Sequence, residues 1–310
     1  MAAPHEYICE IFVTDSNSTV EQLIRKAAAQ LELAQLCFGH GSDNAFDEAA
    51  ELVFFAAKLK HEDAQSVYSQ MLTLKQEAAA LALVQRRIDE RVPTAYLTQR
   101  MWFCGHEFYV DERVLVPRSP IAELIAAQFS PWIDAEQVKR VVDIGTGSGC
   151  IAIATAHAFP DATVDAADLS QDALDVAWIN IGWHKLAKRV RAVQADVYSG
   201  LTRARYDIVV SNPPYVSTAE VAALPAEYSY EPSMGLLAGA DGLSIVRRIL
   251  AEAEAHLTPH GILVVEVGDT EEAVVRAYPK VPFTWLEFAH GGGGVFVLTA
   301  EQVTEHRDDF

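Results

Sequence analysis

Asn212-Pro213-Pro214-Tyr215 is the stretch of this 310-residue chain whose residue types are best suited to chemistry. A proline has no backbone N–H, fixes its own φ and holds the residue before it extended. Asn212 is therefore presented on a stiff turn, beside free backbone carbonyls and an aromatic face. Those parts suit gripping a flat group that bears an NH2. Asn212 Oδ1 and the Pro213 carbonyl would accept its two N–H bonds while Tyr215 packs against its plane. Read alone, the stretch is equally a proline-rich turn leaving the apolar strand Tyr206–Val210.

A second constellation lies upstream in Asp143-Ile144-Gly145-Thr146-Gly147-Ser148-Gly149. Glycines between a strand and a helix permit a tight turn and let a ligand approach backbone N–H groups at the helix start. Asp168 ends the following strand, where a carboxylate takes both ribose hydroxyls of an adenine nucleoside. Dinucleotide enzymes share that pair. Asp143 separates the cases, because a carboxylate there welcomes a cationic group and repels a pyrophosphate. Asp196, after the third strand, is placed either to contact an adenine or to cap the next turn. S-adenosyl-L-methionine carries an ammonium and a sulfonium and no phosphate, so it is the expected cofactor.

Methyl transfer from a sulfonium is an in-line displacement with a good leaving group, so the protein must chiefly position and desolvate the nucleophile. An amide or aromatic amine is a weak nucleophile because its lone pair is delocalised. Holding both hydrogens on carbonyl acceptors favours a pyramidal nitrogen and stabilises the positive charge that develops there. No strong base in contact with the nucleophile is required.

The elements that must position these groups follow from periodicity. Strands are expected at Arg140–Ile144, Thr163–Ala167, Val190–Ala195, Tyr206–Val210 and Ile262–Val267, alternating with helices at Cys150–Ala158, Gln171–Trp183 and Gly242–Leu257. That alternation predicts a parallel sheet covered on both sides. Phe283–Phe288 and Val295–Leu298 are joined across Gly291-Gly292-Gly293-Gly294, so the last strand is expected to be antiparallel. Before the sheet, residues 19–91 are helical in pattern, with one helix over Thr19–Ala34, a second after Asp43 or Asn44 and a third over Ala64–Glu90. Trp102–Val110 reads as a hairpin around a Gly-His turn, closed by Pro117 to Pro120. The division is a helical domain at 1–92, which either recognises substrate or caps the fold, a hairpin linker at 93–120 and a doubly wound α/β domain at 121–310. Arg118 is either a contact near the ligands or a linker salt bridge. The segment 216–243, with Tyr228, Tyr230, Glu231 and Pro232, either shapes a peptide-binding face or is ordinary core.

Net charge argues about partners. With 24 basic and 43 acidic residues the formal charge is −19, which disfavours gripping a nucleic-acid backbone and suits a basic protein partner or solubility. Cys9, Cys37, Cys104 and Cys150 form no C-x-x-C pair, and no histidine stands at metal-ligand spacing, so reduced thiols and no metal are expected. Glu6 and Glu10 interrupt any secretory pattern and no apolar run reaches spanning length, so a cytoplasmic protein without membrane contact is expected.

The glycine loop, the acidic strand end and N-P-P-Y together resemble the protein-glutamine methyltransferase family. Ala95–Thr98, Trp102–Pro120, Pro282–Phe288 and Gly39–Asn44 resemble its ribosomal-protein branch, which acts on the third large-subunit protein. The likeness runs through nearly the whole chain, Met1–Thr14 excepted. The sibling branch acting on release factors has Arg-Pro-Asp-Thr-Glu where this chain has Arg118-Ser119-Pro120-Ile121-Ala122. The resemblance implies a seven-stranded, Rossmann-like S-adenosylmethionine-dependent methyltransferase sheet with a small N-terminal helical domain. It implies Gly145, Thr146, Gly147, Ser148 and Gly149 around the cofactor's methionine part, Asp168 on its ribose, and Asp196 and Val197 flanking its adenine. Some relatives carry an aromatic where this chain has Val197. Asn212, Pro213, Pro214 and Tyr215 would take the glutamine of a large-subunit ribosomal protein or assembly intermediate, with Asn212 also beside the cofactor. The competing readings are an adenine amine methyltransferase on DNA or RNA, a non-catalytic ribosome-assembly factor and, more distantly, a nicotinamide oxidoreductase. The first should carry a basic recognition domain.

Overall fold

Thr19 opens the first helix with a reciprocal cap. Gln22 N donates to Thr19 Oγ1 at 3.2 Å, and Thr19 N donates to Gln22 Oε1 at 3.0 Å. Two N–H groups that a helix start would leave open are thereby satisfied. The computed structural model describes residues 18–60, 64–201, 204–221 and 223–310, so Glu6, Cys9 and Glu10 lie outside the described residues. The chain divides into two compact units: one takes in the residues up to Leu36 with Asn44–Glu90, the other Cys37–Asp43 with Arg91–Phe310.

The first unit is helical. α1 (Val20–Leu33) buries Val20, Leu23, Ile24, Ala27, Ala28 and Leu31 along one stripe. α2 (Ala45–Ala57) is capped by Asn44, whose side chain accepts from Asp47 N. The helix expected over 64–90 is interrupted, giving α3 (Ala64–Val67) and α4 (Leu74–Glu90). Leu72 N donates to Ser18 O at 3.0 Å, and Thr73 then restarts the helix by exchanging hydrogen bonds with Gln76. Arg87 Nε meets Glu48 Oε2 at 2.9 Å with both side chains buried, which fixes α4 against α2.

The second unit begins with α5 (Thr94–Thr98) and a hairpin of β1 (Met101–Phe103) and β2 (His106–Phe108). Its turn is Cys104-Gly105, both at positive φ, which suits the tight twist of a two-residue hairpin. The Gly-His turn read from sequence is thus one residue late, because His106 already pairs with Phe103. α6 (Ile121–Ala126) follows Pro120 as its cap residue.

Strands and helices then alternate: β3 (Arg140–Ile144), α7 (Cys150–Ala158), β4 (Thr163–Asp168), α8 (Gln171–Trp183), β5 (Val190–Gln194) and β6 (Tyr206–Ser211). The short α9 (Thr218–Val221) and α10 (Ser233–Leu236) precede α11 (Ser244–His256), β7 (Leu257–Glu266), α12 (Glu271–Ala277), β8 (Thr284–Trp285), β9 (Val295–Thr299) and α13 (Ala300–Glu305). The seven-stranded sheet has the order β5-β4-β3-β6-β7-β9-β8, with β9 antiparallel to β7 and to β8 and every other pairing parallel. This is the doubly wound α/β sheet with one reversed strand that the alternation predicted. β8 is shorter than expected: Ala289 N and His290 N turn to the Glu123 carboxylate, so that stretch leaves the sheet.

Both faces of the sheet are buried, and alternate residues divide between them. Val141, Ile208, Val210, Ile262, Val264, Val295 and Val297 belong to one core cluster. Val142, Ile144, Val209, Leu263, Val265, Phe296 and Leu298 belong to the other. The strand order reverses between β3 and β6, and a crevice outside the carboxyl ends of the strands at such a reversal is where doubly wound folds bind ligands.

Candidate active site

Two strand ends meet at that reversal. β3 pairs Ile144 with Ser211 of β6, and Ser211 Oγ donates to Ile144 O at 2.7 Å. The glycine loop leaving β3 and the Asn-Pro-Pro-Tyr turn leaving β6 therefore start side by side. At Gly145, φ is +74°, and a Cβ there would lie 3.9 Å from Asn212 O and 4.0 Å from Pro213 Cα. A side chain would strain that backbone and intrude where the two turns adjoin.

The loop is held from beneath. Gly145 N and Thr146 N both donate to Ala167 O, at 2.8 and 2.9 Å. Asp143 is wholly buried, and its Oδ2 accepts from Thr146 Oγ1 at 2.6 Å and from Ala152 N at 3.1 Å. Among the described residues nothing donates to Asp143 Oδ1. Burial pushes the Asp143 carboxyl up to about 7, even though its two hydrogen bonds hold it down. Thr146 and Ser148 are buried, and Gly149 precedes α7 at positive φ.

Asp168 closes the loop's far side. Its Oδ2 accepts from Gly147 N and its Oδ1 from Ser170 N, each at 2.9 Å. Burial raises its pKa, opposed by those backbone N–H groups. Ala195 N donates to Asp168 O at 2.9 Å, which brings the next turn alongside. In that turn Asp196 N and Ser199 N each donate to the other residue's carbonyl, and Val197 is buried at φ +57°. The Asp196 carboxylate faces Arg248, with Oδ1 2.7 Å from Nη1, and that hydrogen bond holds its pKa below the usual range. The fold thus gathers Asp143, Gly145–Gly149, Asp168, Asp196, Val197 and Asn212–Tyr215 along the carboxyl ends of β3 to β6.

Glu266, ending β7, was not singled out from sequence. It is 4 % exposed, accepts from Ser119 Oγ at 2.5 Å and also faces Asn212 and Tyr215. Burial pushes its carboxyl up to about 7, while hydrogen bonds from Ser119, Asn212 and Tyr215 and the charge of Arg118 oppose the rise. An ionised carboxylate only accepts, so from the Asn212 amide it can take only Nδ2–H. The available signal was a lone acid ending an apolar strand. Tyr215 is pinned too: a side chain at Gly268 would approach its Cε2 to 2.6 Å, and one at Gly242 its carbonyl oxygen to 2.5 Å.

Arg118 makes a two-pronged ion pair, Nη1 to Glu231 Oε1 at 2.5 Å and Nη2 to Oε2 at 2.7 Å. Glu231 also accepts from Val116 N at 3.1 Å, and the Arg118 guanidinium lies 5.5 Å over the Tyr228 ring. Glu227, also fully buried, accepts from Cys37 N and from Arg91 Nε. Of the two readings of Arg118, the salt bridge is the one present, and it reaches the 216–243 segment. Tyr228 and Tyr230 are half-buried, Tyr230 against the cluster of Val92, Tyr96 and Val110.

Comparison with known proteins agrees with this architecture. Residues 125–227 match the family model "Methyltransferase small domain", a range holding Asp143, Gly145–Gly149, Asp168, Asp196, Val197 and Asn212–Tyr215. The "Ribosomal protein uL3 glutamine methyltransferase" of Xylella fastidiosa (strain 9a5c) is 48 % identical over 295 residues, 95 % of this chain and 94 % of that one. The protein of the same name from Francisella tularensis subsp. tularensis is 44 % identical over 294 residues, 94 % of this chain and 93 % of that one. Among solved structures, the hMettl16 catalytic domain in complex with MAT2A 3'UTR hairpin 1 superposes with a TM-score of 0.51 at 16 % identity, covering 81 % of this chain and 91 % of that one. That likeness concerns the fold alone.

Proposed function

We propose that this chain, which belongs to the family of ribosomal protein uL3 glutamine methyltransferases, transfers a methyl group from S-adenosyl-L-methionine to the side-chain amide nitrogen of a glutamine in ribosomal protein uL3. The observation that carries the mechanism is the adjacency of the glycine loop and the Asn212 turn. The site suits the cofactor. Asp143 Oδ1 is a buried acceptor still open beneath the loop, and a carboxylate there favours a ligand with an ammonium and a sulfonium over one with phosphates. Asp168, at the end of β4, is assigned to the ribose hydroxyls, and the turn of Asp196 and Val197 to the adenine. When bound, the cofactor supplies an activated methyl on positively charged sulfur.

The chain's own residues do the positioning. Asn212 Oδ1 and the Pro213 carbonyl accept the two amide N–H bonds, while Pro214 stiffens the turn and Tyr215 backs the planar group. Glu266, ionised, fixes which face of the Asn212 amide is offered. The amide nitrogen held by Asn212 and the Pro213 carbonyl would take up the methyl that the bound cofactor supplies and would then lose one proton to solvent. Carbonyl acceptors hold the developing positive charge more strongly than the neutral amide.

The helical unit is assigned to recognising the ribosomal protein, with the division at 1–92, 93–120 and 121–310. The net charge of −19 suits a basic partner. Among the described residues no helix is long and apolar enough to cross a membrane, and a ribosomal substrate implies work in the cytoplasm. The test is incubation with methyl-labelled cofactor and, separately, purified uL3 and ribosomal RNA. Label on a glutamine side chain of uL3 is expected; label on adenine with none on protein would overturn the proposal.

A further inference from the structure

Three histidines that are far apart in sequence meet on the sheet domain, away from the glycine loop. His106 opens β2, His157 lies in the last turn of α7, and His184 is the C-cap of α8. One ring nitrogen from each falls within 4.8 Å of the others, and all three side chains are half-buried. The contact between two of them is the informative one. His157 Nε2 is 3.2 Å from His184 Nδ1. Two imidazole nitrogens bound at about 2.0–2.1 Å on one tetrahedral metal stand roughly 3.3 Å apart, so this spacing is that of a coordination edge.

The tautomer fits as well. His184 Nε2 is 2.9 Å from the Glu107 carbonyl, which only accepts, so Nε2 carries the hydrogen and Nδ1 presents its lone pair toward His157. Donation of the other ring N–H to a backbone carbonyl is the arrangement that orients metal-binding histidines. His106 stacks on His157 with ring centroids 4.4 Å apart and must turn from that position to complete the set. Burial, with neighbouring histidines, holds the pKa values of His106 and His157 below the ordinary imidazole range. Arg189, the cation nearest His157, directs Nη1 at the carbonyls of Ala156, Phe159 and Ala162.

We propose that His106, His157 and His184 form a binding site for a borderline divalent cation of the zinc class. Three imidazoles, with water as a fourth ligand, suit Zn2+, with Co2+, Ni2+ and Cu2+ as chemical analogues. On binding, His157 Nε2 exchanges its proton for the metal and Nδ1 carries the ring hydrogen. The ion would fasten the β1–β2 hairpin to the carboxyl ends of α7 and α8.

The full chain, freed of metal by chelator and dialysis, is titrated with zinc by calorimetry and with Co2+ by visible absorption. One equivalent of Zn2+ and the intense bands of a tetrahedral Co2+ centre are expected. His157→Ala and, separately, His106→Ala should each weaken Zn2+ binding by about 100-fold. Circular dichroism verifies that each variant is folded, and the wild-type Co2+ spectrum stands independently of them. His260→Ala and His290→Ala, at exposed positions, should leave affinity unchanged. Absence of stoichiometric binding, an octahedral Co2+ spectrum, or loss of binding in the surface variants instead would overturn the proposal.

Discussion

Replacing Glu266 with glutamine keeps the side chain's shape and removes the charge that Ser119, Asn212 and Tyr215 face. Burial raises this carboxyl from 4.5 to about 7. Between those values the folded chain binds more protons than the unfolded one, so stability falls as pH rises through that window and levels off above it. The shift corresponds to roughly 3 kcal/mol, and at 4 % exposure solvent screening removes little of it. Wild-type stability relative to Glu266→Gln should therefore decline by about 3 kcal/mol from about pH 4 to about pH 8. Asp143, also raised to about 7, adds a parallel decline that both proteins share. Activity moves the other way. The ionised form accepts an Asn212 N–H more strongly than the protonated one and cannot donate to Oδ1, and the ionised fraction climbs from about a tenth near pH 6 to about nine-tenths near pH 8. Wild-type kcat/KM on uL3 should rise about tenfold across that interval, while Glu266→Gln should lose the dependence and fall by about 10–100-fold, as for a misoriented hydrogen-bond acceptor. Urea unfolding at several pH values and initial rates with labelled cofactor measure both. A flat wild-type rate profile, or a glutamine variant as active as the parent, would refute this role for Glu266.

Asn212→Ala should leave S-adenosylmethionine affinity nearly intact and abolish turnover; calorimetry finding affinity lost in step with activity would count against the assignment. Asp168→Ala should weaken cofactor binding first, by about tenfold for one lost charge-assisted contact, and an unchanged dissociation constant would mean the ribose contact is misplaced. In the helical unit, Glu48→Ala removes the carboxylate that Arg87 Nε meets at 2.9 Å and should cost about 1.5–3 kcal/mol by urea unfolding. A loss below about 1 kcal/mol would show that the pair does not hold α4 to α2.

The parallel strands were readable because Ile208–Val210 and Ile262–Val265 are unbroken apolar runs, and Val141–Ile144 one broken only by Asp143, which a sheet buried on both faces accommodates. The glycine loop and the proline turn were readable as local backbone chemistry. The break between α3 and α4 was not, because Val67, Tyr68, Met71 and Leu72 continue helical spacing across it and the signal is one Thr73–Gln76 cap. Long-range partnerships left no trace in spacing. Ser119 meets Glu266 across 147 positions, and Arg118 meets Glu231 across 113. The histidines were judged by their separations along the chain, which say nothing about three side chains that a hairpin and two helix ends bring within 4.8 Å. Asp196 read as an adenine contact or a cap on the next turn, and the fold adds Arg248, 52 positions away.

A crystal structure of the enzyme with S-adenosylmethionine and a glutamine-bearing segment of uL3 bears most directly on the central claim. The glutamine nitrogen should lie within hydrogen-bond distance of both Asn212 Oδ1 and the Pro213 carbonyl, beside Gly145, with Asn212 Nδ2 on Glu266. A glutamine held by other residues, with the Asn212 turn empty, would contradict it.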